Sequence, residues 1–237
     1  MPCDALDWTS YKGTVLKKFP GTASFFYVTD RMEIDADGAP NAYHPDDTGL
    51  DELANAEVPN GNWRSILVAD PVNPAMPAIQ AAGPFAGFYI SMTTLQDKTR
   101  EMTDPARYVD ATQIPYIVFP GRFYAMKGTG SMGDFAMVRN LTDGKTSAAL
   151  VADVGPSEAA LGEVSIRLAE NLGGSKVNPR NGAGKPKGPF LYVLFPRSRV
   201  DPPWPVGSQT IEETASAKLS ALGGWDRVLP CANADLA

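Results

Sequence analysis

Glycine and proline punctuate this chain too densely for long helices. There are 22 glycines and 21 prolines in 237 residues, spread along the whole length, and each weakens or breaks the interior of a helix or strand. What remains between them are short apolar runs at residues 25–28, 65–68, 87–92, 116–119, 135–138, 147–151 and 190–195. These runs, apolar and bounded by turn residues, read as strands. Several are apolar without alternation, the pattern of strands covered on both faces or closed into a barrel. Three segments look helical. Residues 49–56 make one or two turns, 164–172 place Ile166, Leu168, Ala169 and Leu172 at helical spacing, and 211–222 form an amphipathic C-terminal helix with Thr210 as N-cap. The expected class is β-rich α+β. No internal repeat or shift in composition marks a boundary, so residues 1–237 are read as one domain. Residues 171–188, rich in Gly, Pro and Lys, read as a mobile loop bordering a cleft.

Charge and cysteine usage remove whole classes of function. Twenty-seven acidic residues against 21 Lys plus Arg give a formal net charge of -6, which disfavours nucleic acid and anionic membranes as partners. No stretch approaches the roughly 18 to 20 apolar residues of a spanning helix. The first residues show no basic segment followed by an apolar run, so no signal peptide is visible. That is compatible with a cytoplasmic protein, a trimmed chain, or export without a cleaved signal. Cys3 and Cys231 lie at opposite ends of the chain, and with no Cys/His cluster a zinc or iron–sulfur centre is not expected. The two cysteines either join the termini or stay as separate buried thiols. His44 is the single histidine and there is no G-x-S-x-G motif, so a serine or cysteine hydrolase apparatus has nowhere to form except around His44.

Three acidic stretches stand out. Asp35 and Asp37 fall on one face of an extended segment ahead of Gly38, which permits a sharp turn. They resemble a cation loop but lack the third oxygen ligand and terminal Glu of a calcium loop, so a turn held by Asp-to-backbone hydrogen bonds leads, with substrate binding and calcium as the other readings. The loop Tyr43-His44-Pro45-Asp46-Asp47 follows, where His44 is either a cleft-lining residue or a loop histidine satisfied locally. In the third, an apolar strand delivers Asp153 at its end, Gly155-Pro156 turns the chain, and Gly162-Glu163 opens the next element. Such a loop can set two carboxylates across a cleft, or Asp153 simply caps its turn and Glu163 starts a helix.

At these residues the chain resembles the fungal-type chitosanases of glycoside hydrolase family 75, in a bacterial-like branch, over about residues 24–196. Asp35-Ala36-Asp37-Gly38-Ala39 is similar to that family's early Asp-x-Asp-Gly-Ala segment. Pro115 to Phe119 resembles its proline-led strand, and residues 162–169 resemble its Gly-Glu-Ala-Ser-x-x-Leu-Ala signature. The family's Gly-Asp-Thr-Asn-Gly loop becomes Ala152-Asp153-Val154-Gly155-Pro156, without the polar Thr and Asn, and the family's disulfide cysteines are missing. The block also resembles the pattern of double-psi β-barrels, so the expected scaffold is a small closed β-barrel with a few short helices and a C-terminal helix.

The resemblance implies an endo-acting glycosidase that cleaves a β-1,4-linked amino-sugar polymer with inversion, using Asp153 and Glu163 as its carboxylate pair. Glu163 is expected to be the acid, because Leu161, Val164 and Ile166 can desolvate it, and Asp153, in a more open loop, the base. Asp35 and Asp37 are expected to attract the ammonium groups of the polymer. Tyr43, Trp63 and Tyr124 are candidate stacking platforms, His44 a cleft residue and Arg122 an orienting cation. No metal or cofactor is expected. The partner is a polysaccharide, chitosan-like or peptidoglycan, met by a monomer secreted or delivered outside the cell. A peptidoglycan-cleaving enzyme and a noncatalytic carbohydrate-binding barrel are the alternatives.

Overall fold

In the computed structural model, which describes residues 3–59 and 61–234, nine strands join one mixed sheet. They are β1 Leu6–Tyr11, β2 Thr14–Lys18, β3 Phe25–Thr29, β4 Glu33–Asp35, β5 Tyr116–Pro120, β6 Phe135–Asn140, β7 Thr146–Gly155, β8 Glu163–Ser165 and β9 Phe190–Phe195. The spatial order is β1-β2-β3-β9-β6-β7-β5-β8-β4. Strands β5, β6, β7 and β9 occupy its centre and are buried almost throughout. That explains their unbroken apolar runs, since a strand covered on both faces has no polar side to present.

The expected closed barrel is not formed. Strands β1 and β4 are the two edges and do not pair with each other, whereas closure requires the first and last strands to share a hydrogen-bond ladder. Strand β4 has three residues and its neighbour β8 also has three, too little ladder to curl the sheet round to the β1–β2 hairpin. The fold is sheet-rich and open. Helix α1 (Gly121–Tyr124) follows β5 and α2 (Ile166–Asn171) follows β8. Helix α3 (Ser208–Leu222) lies over β6 and β7, burying Ile211, Ala215, Leu219 and Leu222 along one stripe. It begins three residues earlier than the sequence pattern indicates, with Gly207 rather than Thr210 at its N-cap, and stops where Gly223 takes a left-handed φ of 107°. Helix α4 (Gly224–Ala234) returns the chain end to its start, and Cys3 is bonded to Cys231. No described helix is long and apolar enough to cross a membrane.

Between β4 and β5 the chain makes one long excursion. Among the described residues it holds only single 3-10 turns (Trp63–Ser65 and Pro105–Arg107), other turns, and isolated bridges such as Leu67 to Ser91 and Ile79 to Tyr89. The expected strands at 65–68 and 87–92 are reduced to these bridges, and the expected helical turns at 49–56 are turns without a helix. Instead of one ladder, residues 67–91 make single bridges to different partners, Leu67 to Ser91, Ala69 to Pro77 and Ile79 to Tyr89, in a segment that Pro71, Pro74, Pro77 and Pro84 interrupt. The loop at 171–188 is anchored rather than loose. Arg180 donates to the carbonyls of Gly49 and Asp51, and Lys185 donates to that of Met32.

One buried carboxylate fastens the start of β6 to the chain leaving β9. Asp134 accepts four amides, those of Ser131 (2.7 Å) and Arg197 (3.1 Å) on Oδ2 and those of Ser198 (2.7 Å) and Arg199 (3.0 Å) on Oδ1. Asp134→Ala strands these donors out of water, so it is expected to lower the unfolding free energy by about 3 kcal/mol in a urea titration. A loss below about 1 kcal/mol, the size of a surface change, would count against this role.

Candidate active site

The candidate site is assembled on either side of Val118 in the middle of β5. Val118 pairs with Asp153 of β7 on one side and with Glu163 of β8 on the other. A bulge makes this possible. Between the pairs Ile117–Val151 and Val118–Asp153, β7 advances two residues while β5 advances one, which leaves Ala152 outside the ladder. The freed carbonyl of Ala152 accepts the Leu95 amide at 2.9 Å, and so docks the segment 91–95 beside Asp153.

Gly155 shows that the two carboxylates share a face of the sheet. A Cβ at Gly155 would lie 3.1 Å from Val118 Cγ1 and 3.0 Å from Glu163 Oε2. Asp153 is two residues away on the same strand and therefore projects to that same face. A side chain at Gly155 would occupy the space that the Glu163 carboxylate now uses. Two strand spacings separate the backbones of Asp153 and Glu163, about 9.6 Å.

Asp35 and Asp37 complete an acidic cluster. Strand β4 runs parallel to β8 and sets Asp35 against Ser165. Gly38 then turns the chain at a φ of 74°, with no room for a Cβ against the Val109 carbonyl. Asp35 accepts the Asp37 amide at 2.8 Å and the Tyr116 hydroxyl at 3.0 Å. Asp37 accepts the hydroxyls of Tyr43 at 3.0 Å and Ser91 at 2.9 Å. One oxygen from each of Asp35, Asp37 and Asp153 lies within 4.8 Å of the others. The set is all-carboxylate and already engaged by protein donors. Burial and the neighbouring acids both favour the protonated form of Asp35 and Asp37.

Burial dominates the electrostatics. It pushes the Glu163 carboxyl up to about 7, against the pull of Arg31 and with further upward pushes from Asp153, Glu33 and Asp51. Asp153 rises only to about 6, since the hydroxyl and amide of Thr94 and the amide of Val154 oppose its burial by stabilising the anion. Asp35 and Asp37 are held well above the ordinary carboxylate range, first by burial and then by each neighbouring acid, Asp37 the larger for Asp35 and Asp153 the larger for Asp37. Beside Glu33, the residue in register with Glu163, a cleft of about 510 Å³ opens between Asp30–Glu33 and Lys185–Gly188.

The residues singled out by sequence divide sharply. Asp35, Asp37, Asp153 and Glu163 come together. Asp153 is not at an open strand end as expected but inside β7 and buried, while Glu163 is the more exposed of the two. Tyr43 is a buttress of Asp37 rather than a stacking platform. His44 accepts the Asp46 amide at its Nδ1 and sets its ring edge-on to Phe88 at 4.8 Å, a histidine satisfied within its own loop. Trp63 is buried beneath the Arg64 guanidinium. Arg122 is exposed and paired with Glu158 at 2.6 Å, and Tyr124 is packed against the main core, so neither joins the site. Sequence reasoning missed Ser91, Thr94, Tyr116 and Arg31. Only the polar run Ser91, Thr93, Thr94 within an apolar stretch carried any signal. No family model matches the chain and no curated protein matches it.

Proposed function

We propose that the protein is a glycosidase cleaving β-1,4-linked amino-sugar polymers with inversion. The observation that carries this reading is the placement of Asp153 and Glu163 on one face, either side of Val118, with carboxyls at about 6 and about 7. Glu163, the weaker acid, keeps its proton and gives it to the glycosidic oxygen as the bond from C1 to that oxygen breaks. Asp153, the stronger acid, is ionised and takes a proton from the water whose oxygen bonds to C1 from the opposite face. Inversion needs carboxyl groups roughly 6.5 to 9.5 Å apart and retention about 5 to 5.5 Å, and side chains rising on one face from strands two spacings apart leave room for the attacking water that inversion requires. Glu163 is the acid because Asp153 collects anion-stabilising donors, not because Glu163 is the more buried.

Asp35 is buried and Asp37 half-buried, and burial and the neighbouring acids push both carboxyls up, so their role is to shape the site's titration rather than to attract ammonium groups from solvent. Chitosan is the first substrate. Peptidoglycan is the second, favoured by Arg31, Lys185 and Lys187 in the cleft beside Glu33, where a sugar bearing a carboxylate finds cations. Polymers of both kinds lie outside cells, and the Cys3–Cys231 bond suits an oxidising environment, which supports a secreted or delivered protein. The test is reducing-end release from chitosan of graded acetylation and from purified peptidoglycan across pH. The expected rate profile rises near pH 6 as Asp153 ionises and falls near pH 7 as Glu163 loses its proton. Cleavage of peptidoglycan alone moves the substrate assignment to the second polymer, and silence on both sinks the reading.

A further inference from the structure

Segment 91–95 crosses the acidic cluster as a strap of hydroxyls. Ser91 donates to Asp37, Thr93 donates to the Leu95 carbonyl at 2.7 Å, and the Leu95 amide is tied to the bulged Ala152. Thr94 thereby arrives over Asp153 and gives one carboxylate oxygen two donors, its amide at 2.9 Å and its hydroxyl at 2.6 Å. The Val154 amide adds a third at 2.7 Å. All three converge on Oδ1, and among the described residues no hydrogen-bond donor reaches Oδ2. A carboxylate loaded on one oxygen is fixed in rotation and keeps the other for an incoming proton.

We propose that Thr94 is the positioning residue of this site: it clamps Oδ1 of Asp153 in the ionised state and turns Oδ2 toward the attacking water. This rests on the reading of Asp153 as the base. The hydroxyl matters more than the fold alone requires, because the strap is already held by the Leu95 amide. The other groups facing Asp153 are Asp35 and Asp37 from β4 and the turn after it, Tyr116 from β5 and Glu163 from β8. Burial disfavours the Asp153 anion and the Thr94 and Val154 donors oppose that push, so without the Thr94 hydroxyl Asp153 holds its proton more tightly.

The experiment is a carboxyl carbon-13 NMR titration of the full disulfide-bonded chain, with the Asp153 signal assigned by its loss in Asp153→Asn. Thr94→Val keeps the shape and removes the hydroxyl, Thr94→Ala removes it without placing a methyl against the carboxylate, and Thr94→Ser restores it. Both hydroxyl-deleted variants are expected to raise the Asp153 midpoint by about one pH unit, a tenfold loss of ionised base below the midpoint, while Thr94→Ser stays with the parent. An unmoved midpoint in Thr94→Val and Thr94→Ala, or an equal shift in Thr94→Ser, overturns the proposal. The acidic limb of kcat/KM is read in parallel. If the Asp153 signal moves but that limb does not, or the parent cleaves no polymer, the clamp stands and the glycosidase reading fails.

Discussion

On the proposed reading, Glu163→Gln and Asp153→Asn are each expected to lower kcat for polymer cleavage by a factor of roughly 10² to 10⁴, the range that one positioned acid or base contributes. The two substitutions remove chemistry while keeping shape. In Asp153→Asn the carbonyl oxygen can still accept the Thr94 and Val154 donors, and the amide nitrogen replaces Oδ2, the oxygen that would have taken the proton. In Glu163→Gln no proton is left to give to the leaving oxygen. Stability separates lost chemistry from a lost fold, and here the sign is unusual. Glu163 titrates in the fold at about 7 against an ordinary value of 4.5, so between these values the native state binds more protons than the unfolded chain. Stability therefore falls as pH rises across that window, and the full penalty is present above pH 7. Glutamine carries no such penalty. A thermal melt of Glu163→Gln is expected to lie above that of the parent at pH 8 and beside it at pH 4. Activity retained within tenfold of the parent, or a lower melting temperature at pH 8, would rule out Glu163 as an acid that holds its proton for catalysis.

What was legible in the sequence follows the range of the interactions involved. The central strands were visible because burial on both faces leaves an uninterrupted apolar run, and Phe190–Phe195 and Tyr116–Pro120 are cases. Edge strand β1 and its hairpin partner β2 were not, because Asp7, Thr9, Ser10, Lys17 and Lys18 give the hairpin the polar surface that a loop also has. Strands β4 and β8 are three residues each and exist only through pairing with partners distant in sequence. Openness against closure was beyond reach for the same reason. Strand composition reports burial, not whether the first and last strands meet. Within the site, Asp153 and Glu163 stood out as acids ending or opening apolar elements. The bulge at Ala152 that aims Asp153 has no local signature, and Thr94 reaches it from 59 residues away along the chain. The aromatic residues misled because size and partial polarity suit both a sugar platform and a core. Trp63 and Tyr43 are buried, and their neighbours decided the matter.

Reducing the Cys3–Cys231 bond is expected to destabilise the whole fold while leaving the carboxylate site unaltered. The bond closes a loop with a sequence separation of 228 residues. In the chain-entropy account a loop that long approaches the ceiling of about 5 kcal/mol, and loss of a native disulfide from a small domain typically costs roughly 2 to 5 kcal/mol. For a chain of this size about 3 kcal/mol corresponds to a fall in Tm on the order of 10 °C. The bond fastens α4 to the strand-bearing N-terminus, where Arg227 also pairs with Asp4 at 2.6 Å and lies 4.9 Å over the Phe19 ring. That ion pair is an exposed surface contact that contributes little to stability, so Asp4→Ala serves as the control for a local loss at the same place. Calorimetry with and without dithiothreitol, beside the double Cys3→Ser, Cys231→Ser variant, should give matching depressions of Tm well beyond that of Asp4→Ala. The heat-sensitive variant should still bind and turn over substrate as the parent does at 20 °C, since Asp153 and Glu163 are held by β5, β7 and β8. A Tm moved no further than by Asp4→Ala would mean that α4 is held by its own burial, with Val228 and Ala232 in the core, and that the bond adds nothing the packing does not already supply.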